Sequence, residues 1–333
     1  MMLANFKKSF IGLAIIFILL AVSATYSFWA PDEYGKDNIH YNQNGEVVGR
    51  APFPPSLKHP FGTDISGYDV FLQMMDGAKF TIVSAVTVSI FRVLLGTVIG
   101  VILSLWLPRL IPILKDFLLP FQYIPTLFIT AALMVPVAPF TGLPMTKVIT
   151  YQLLVCIFVA LPTLLFYTTE LLDEWKQSSF VQSSYLMGAS HFHVLRKHYL
   201  PYLKSYGLLM IVQQFFHTLV LLMHLSVFTF FLGGQSQSGQ FSGDPDTFLP
   251  SSLSNEWAGL IGQNILQITR APWIVLSSVL GFFLLLALAN MMKKEMEDHL
   301  SQSNIRKRKR KKPIEAEPMT SAINSDAFTF IEK

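Results

Sequence analysis

Long uncharged stretches recur along this chain, separated by segments in which charge, proline and glycine return. Ser9 to Ala30 holds no charged residue and follows Lys7 and Lys8. Phe80 to Leu107, interrupted by the single charge of Arg92, and Phe117 to Val137 come next, the latter inside a charge-free run that continues to Thr146. Val148 to Thr169 contains Pro162, which a membrane helix tolerates when neighbours satisfy the freed carbonyl. Tyr206 to Leu232 and Ala271 to Met292 close the series, the last ending at Lys293 and Lys294. A helix needs about 20 mostly apolar residues to cross the hydrocarbon layer, so the pattern predicts six transmembrane helices in an all-α integral membrane protein. A small-x-small pattern at Ala21, Val22 and Ser23 offers a rival reading of the first stretch as a secretory signal, but the stretch is longer than the usual apolar core of one. Both readings place the following residues outside.

Between the helices three connections are too long for simple turns. Residues 31–79 are expected to form an extracytoplasmic cap, irregular or partly helical, rich in Pro, Gly and Asn. Residues 170–204 mix charge with apolar side chains and read as a structured inner element, and 233–270 as an outer loop whose Gly, Ser and Gln stretch gives way to an apolar pattern at Asn255 to Ile261. A core of five helices spans 80–292, followed by a basic tail over 293–333. Lys and Arg are retained on the cytoplasmic side. With both termini inside, eighteen of the 25 basic residues fall on inner segments and six on outer ones, with Arg92 in the second span.

Composition agrees with the pattern. Of 333 residues, 52% are hydrophobic and 14% charged, against roughly 25% charged in soluble domains. The single cysteine, Cys156, excludes a disulfide scaffold and any Cys-x-x-Cys metal site. No Gly-x-x-x-x-Gly-Lys-Ser/Thr loop and no His-Glu-x-x-His helix occurs, so the chain has no Walker-type nucleotide site and no zinc-protease motif, and an enzyme is not expected. Basic and aromatic residues do not interleave on a soluble domain, which argues against nucleic acid.

The inner connection carries the most legible local pattern. Gln182-Ser183-Ser184-Tyr185-Leu186-Met187-Gly188-Ala189-Ser190, then His198-Tyr199-Leu200-Pro201, predicts a short helix, a turn at Gly188 and a second helix capped by Ser190, with Pro201 ending it or beginning the next span. This segment resembles the cytoplasmic loop of permease subunits of ATP-binding-cassette importers, whose Glu-Ala-Ala-x-x-x-Gly pattern docks on the ATPase; Gln182, Ser183 and Ser184 stand in place of Glu-Ala-Ala. His59-Pro60-Phe61-Gly62-Thr63-Asp64-Ile65-Ser66-Gly67-Tyr68-Asp69-Val70 resembles the segment before the second span of dipeptide, oligopeptide and nickel importer permeases, with Tyr68 where those carry arginine. Asn255 to Ile261 and Ala271-Pro272-Trp273 are similar to the approach to the last span in the same family. The order of elements looks most like the C-type subunit, and the three matches cover residues 59 to 298.

The resemblance implies a type I importer permease in a bacterial cell membrane, working with a second permease subunit, two cytoplasmic ATPase subunits or domains and an extracytoplasmic solute-binding protein. It implies no cofactor of its own, since ATP is bound by a partner. On that reading Gln182, Tyr185, Leu186, Gly188, Ala189, Ser190, Phe192, Leu195 and Pro201 form the coupling element, with Gly188 and Pro201 bracketing a lever and Tyr185, Leu186, Phe192 and Leu195 seated in the ATPase. Gln213, His217 and His224 recur at spacings of four and seven and so share a helical stripe, facing either the translocation path or a neighbouring helix. A metal site from the two histidines is disfavoured, because seven residues of helix separate them by about 10 Å. Arg92 should face the bundle, a partner helix or a wet cavity. The run Arg306 to Lys312 is either a solvated tail or a contact with anionic membrane lipids. A nickel-chelate importer, a stand-alone secondary transporter and a membrane sensor remain alternatives.

Overall fold

The computed structural model describes residues 6–29, 32–41, 47–137, 142–238 and 249–310. Its helices, in chain order, are α1 (Lys7–Ala24), α2 (Tyr26–Trp29), α3 (Val70–Trp106), α4 (Leu110–Gln122), α5 (Thr126–Met134), α6 (Met145–Lys176), α7 (Ser179–Leu186), α8 (His191–Val194), α9 (Leu200–Val227), α10 (Trp257–Asn264) and α11 (Pro272–Arg310). Two short antiparallel hairpins, β1 (Ile39–Tyr41) with β2 (Val47–Arg50) and β3 (Gln235–Ser238) with β4 (Leu249–Ser252), sit in the long connections. Neither hairpin is announced by an alternating pattern in the sequence. The basic tail beyond residue 310 and most of the Gly, Ser and Gln stretch, residues 239–248, lie outside the described residues.

Five helices among the described residues are long and apolar enough to cross a membrane: Lys7–Ala24, Val70–Trp106, Met145–Lys176, His191–Val227 and Pro272–Ser301. The sixth expected span, Phe117 to Val137, is not one straight helix. It is a pair, Leu110–Phe121 and Thr126–Val137, bent by 80°. Pro125 causes the break, because it lacks an N–H and excludes the helical conformation from the residue before it. α3 starts ten residues ahead of Phe80, since Asp69 caps it by accepting from the N–H groups of Phe71 and Leu72.

Polar and apolar positions are distributed as lipid demands. Phe10, Ile11, Leu13 and Phe17 of α1 face outward, while Ser9, Gly12 and Ser23 are buried. Between α3 and α6 the contact is made through small residues: a Cβ on Gly96 would come within 2.7 Å of Leu164 Cβ, and one on Gly100 within 2.7 Å of Thr168 Cβ. Two apolar surfaces gain little by meeting inside hydrocarbon, so helix association rests on such close packing and on interhelical hydrogen bonds. α1 is tied at both ends. Its Lys8 and Ser9 N–H groups donate to Glu295 of α11 at 3.0 and 2.6 Å, and Ser23 Oγ donates to the Asp76 carbonyl at 3.0 Å. The chain order thus places α7 and α8 at one end of the bundle, the hairpin end, and the described residues of 32–41, 47–69, 228–238 and 249–271 at the other, the loop end.

Candidate functional site: a hairpin, a cavity and a braced loop end

α7 and α8 form the expected pair of short helices. Gly188 adopts φ +82°, a left-handed conformation that costs an L-residue and not glycine. The Ala189 N–H donates to the Ser184 carbonyl at 3.0 Å and the Gly188 N–H to the Tyr185 carbonyl at 2.9 Å, the paired bonds by which a glycine closes a helix C-terminus. Ser190 Oγ then accepts from the His193 N–H at 3.3 Å and caps the next helix. Val181 and Val194 are fully buried in one cluster with Val101 and Leu105 of α3, Leu172 of α6 and Leu203 of α9. Ser184 Oγ lies 2.9 Å from His198 Nε2, bracing the two arms. The hairpin is therefore a rigid body seated on three long helices.

Its side chains divide in a way the sequence did not announce. Leu186 is 89% exposed and Phe192 65%, and Met187, absent from the sequence-derived set, is 82% exposed. Tyr185, Ala189 and Leu195 instead pack inward against the cluster. Gln182 is exposed, beside Ser183 on α7. Of the two roles offered for Pro201 it takes the second, standing in the first turn of α9 and opening the next span, with a π turn over Leu195–Tyr199 just before it. In a helix's first turn the N–H that proline lacks has no intrahelical partner in any case, so the chain runs helically from His191 to Val227 and Pro201 does not bracket a lever. Gly188 is the one true corner of the element.

Midway along the bundle lies a cavity of about 390 Å³, lined by residues of α3, the α4–α5 break, α6 and α9. His217 and His224 both line it. Gln213 does not; its amide donates to Glu297 of α11 at 3.3 Å, and Gln214 takes the place in the wall. Gln213 sits at the margin of the stripe, where a rotation of a few tens of degrees decides which neighbour it meets. Arg92 is 2% exposed and reaches the same cavity. Its Nε and Nη2 donate to the Cys156 carbonyl at 2.8 and 2.6 Å, and its Nη1 donates to Thr218 Oγ1 at 3.2 Å and Gln214 Oε1 at 3.4 Å. Gln214 was legible in principle, three residues ahead of His217 on the same face.

At the loop end the His59 to Val70 segment builds a scaffold. His59 Nδ1 is 2.8 Å from Asp69 Oδ2, while Asp69 Oδ1 caps α3. Asp64 accepts from the N–H groups of Ser66 and Tyr68 and from Gln73 Nε2, all within 2.9 Å. Burial pushes its carboxyl up to about 6 against the opposing pull of those donors. Trp257 donates from Nε1 to the Met74 carbonyl at 2.7 Å and anchors α10 on α3. Glu256 beside it is buried, one oxygen accepting from the Leu232 N–H at 3.4 Å and the other without a partner among the described residues. Burial raises its carboxyl to about 7, opposed by the N–H groups of Gly259, Leu232 and Ala258.

A helical bundle with outward apolar faces, a polar cavity at mid-depth and a rigid helical pair at one end is the architecture of a multi-pass membrane protein. The chain is similar to the glutathione transport system permease protein of Shigella dysenteriae, 28% identical over 301 residues that cover 86% of this chain and 84% of the relative. The corresponding protein of Escherichia coli is 27% identical over the same length. A peptide permease protein of Brucella abortus is 27% identical over 198 residues, and the match spans only 59% of this chain and 59% of that relative. No family model matches the chain. The chain is thus similar to proteins named as permeases of peptide and glutathione transport.

Proposed function

We propose that this chain is one of the two membrane-spanning subunits of an ATP-driven importer for peptides, with the hairpin end in the cytoplasm and the loop end outside. It pairs with a second permease, receives its work from two ATPase subunits or domains at the hairpin, and takes cargo from a solute-binding protein at the loop end. One observation carries the reading: the hairpin turns three large apolar side chains, Leu186, Met187 and Phe192, to solvent on an element whose interior is packed tightly enough to transmit force. Because Val181 and Val194 share a cluster with α3, α6 and α9, a displacement of the hairpin is delivered to all three at once, and all three wall the cavity. Bistable packing of that kind converts a small shift at one end into a change of access. Gln182, Gly188, Ala189, Ser190, Tyr185, Leu195 and Pro201 then shape the element, while Leu186, Met187 and Phe192 touch the motor; His217, His224 and Gln214 line the route, and Gln213 holds α9 to α11.

Purification of the tagged chain from its own membranes tests this. An ATPase should accompany the wild type and be lost from Met187→Asp/Phe192→Asp, whose stability should not change because both positions are exposed. Each side chain contributes about 1.5–3 kcal/mol when fully buried, so the pair should weaken docking by about a hundredfold or more. An unaccompanied wild type, or undiminished capture by the double variant, would refute the reading. So would protease mapping of sealed vesicles that finds the hairpin outside.

A further inference from the structure

Among the described residues Arg92 is a cation without a counter-ion. Its guanidinium cannot shed its proton at any ordinary pH, and buried charges in proteins are paired or coordinate an ion. Yet all its partners are neutral: a backbone carbonyl, a threonine hydroxyl and a glutamine amide. No carboxylate lines the cavity it reaches. Glu297 on α11 is occupied with Lys293 at 3.7 Å and with Gln213 at 3.3 Å. The remaining polar wall, Thr126, Thr163, Gln214, His217 and His224, consists of groups able to donate a hydrogen bond.

The geometry of the fork indicates which edge is available. The Cys156 carbonyl occupies the side shared by Nε and Nη2. Nη1 points toward Gln214, which itself lines the cavity, and its two bonds, at 3.2 and 3.4 Å, are the long ones of the set. An arriving carboxylate can displace them and take Nη1 and the second Nη2 hydrogen together, the end-on bidentate arrangement for which guanidinium is suited. A volume of about 390 Å³ is in the range of small-molecule sites.

We propose that Arg92 is the specificity-determining residue of this cavity and recognises the carboxylate of the cargo, so that the transported class consists of molecules with a free acid group, such as a peptide C-terminus. The inference rests on the translocation reading above and adds a charge requirement to it. Gln214, His217 and the two threonines complete the site as neutral donors. A single displaceable cation suits a route: it holds the anion long enough to select it without enclosing it.

The test uses the purified full chain in detergent and follows its melting by tryptophan fluorescence. The probes are N-acetyl-alanyl-alanine, which carries the carboxylate, and its C-terminal amide, which does not, at matched chloride and pH. The acid should raise the melting temperature in a dose-dependent way and the amide should not. Arg92→Gln should shift the half-effect concentration by about tenfold or more, as expected for loss of a charged hydrogen-bonded pair. Since Arg92→Gln also gives up the bonds to Cys156 and Thr218, Gln214→Glu is the second variant. It supplies the missing anion inside the cavity and should abolish the response in a chain that melts no lower than wild type. Equal responses to acid and amide, an equal response to chloride alone, or an undiminished response in Gln214→Glu would overturn the proposal. Loss of the response once the second permease is assembled would also overturn it, by showing that the anion is a partner side chain. A chain that captures its ATPase but ignores the carboxylate would leave the importer reading standing and this inference refuted.

Discussion

Replacing Gly188 isolates backbone conformation from packing. The residue sits at φ +82°, and nothing lies within 4 Å of the position its Cβ would take. A side chain there therefore meets no clash, and the whole penalty comes from the left-handed backbone. For alanine that penalty is about 1–2 kcal/mol. Asparagine, which visits this region more readily, should lose less, and β-branched valine more. The bond from the Ala189 N–H to the Ser184 carbonyl at 3.0 Å exists only while residue 188 is left-handed. Opening of that bond should rise about 5- to 30-fold in Gly188→Ala, the factor that 1–2 kcal/mol represents. Hydrogen exchange at the Ala189 amide reads this directly, and the order of protection should be Gly, Asn, Ala, Val. Under the importer reading, substrate moved per ATP hydrolysed should fall in the same order. Indistinguishable exchange in the asparagine and valine variants would refute the reasoning, because the left-handed turn would then not be what holds the corner.

Two further outcomes follow from the loop end. Asp69→Ala removes the cap of α3 and the partner of His59 and should cost about 1–2 kcal/mol or more, whereas Asp69→Asn keeps the cap and should cost less; thermal melting of the two variants checks the order. Glu256 has its carboxyl raised to about 7 from 4.5, so the folded state favours the protonated form. Its contribution to stability is fully present below the unfolded value and is lost as pH rises through about 7. Glu256→Gln should consequently melt higher than wild type at pH 8 and alike at pH 4.5, and identical melting curves at both pH values would count against it.

Much of this molecule was legible before any coordinates. The bundle follows from uncharged runs long enough to cross lipid, because a backbone in hydrocarbon must satisfy its own hydrogen bonds and the helix does so locally. The corner at Gly188 and the cap at Ser190 are equally local: both depend on residues within a few positions of each other, so their chemistry is written in order along the chain. His217 and His224 shared a face by arithmetic alone. The other features depend on what lies across from a residue. Whether Gln213 or Gln214 entered the cavity was settled by Glu297, 84 positions away. Whether Pro201 ended one helix or opened the next was settled by the run of helix from His191 to Val227, and the proline at 125 announced a break in Phe117 to Val137 but not its 80° angle. The split of the hairpin into an inward set and the outward Leu186, Met187 and Phe192 required the positions of α3, α6 and α9. Above all, the sequence marked Arg92 as a charge that must face inward, but only the packed bundle showed that its partners are all neutral. Local hydrogen bonding and hydrophobic length are properties of a segment; pairing and its absence are properties of the space between segments.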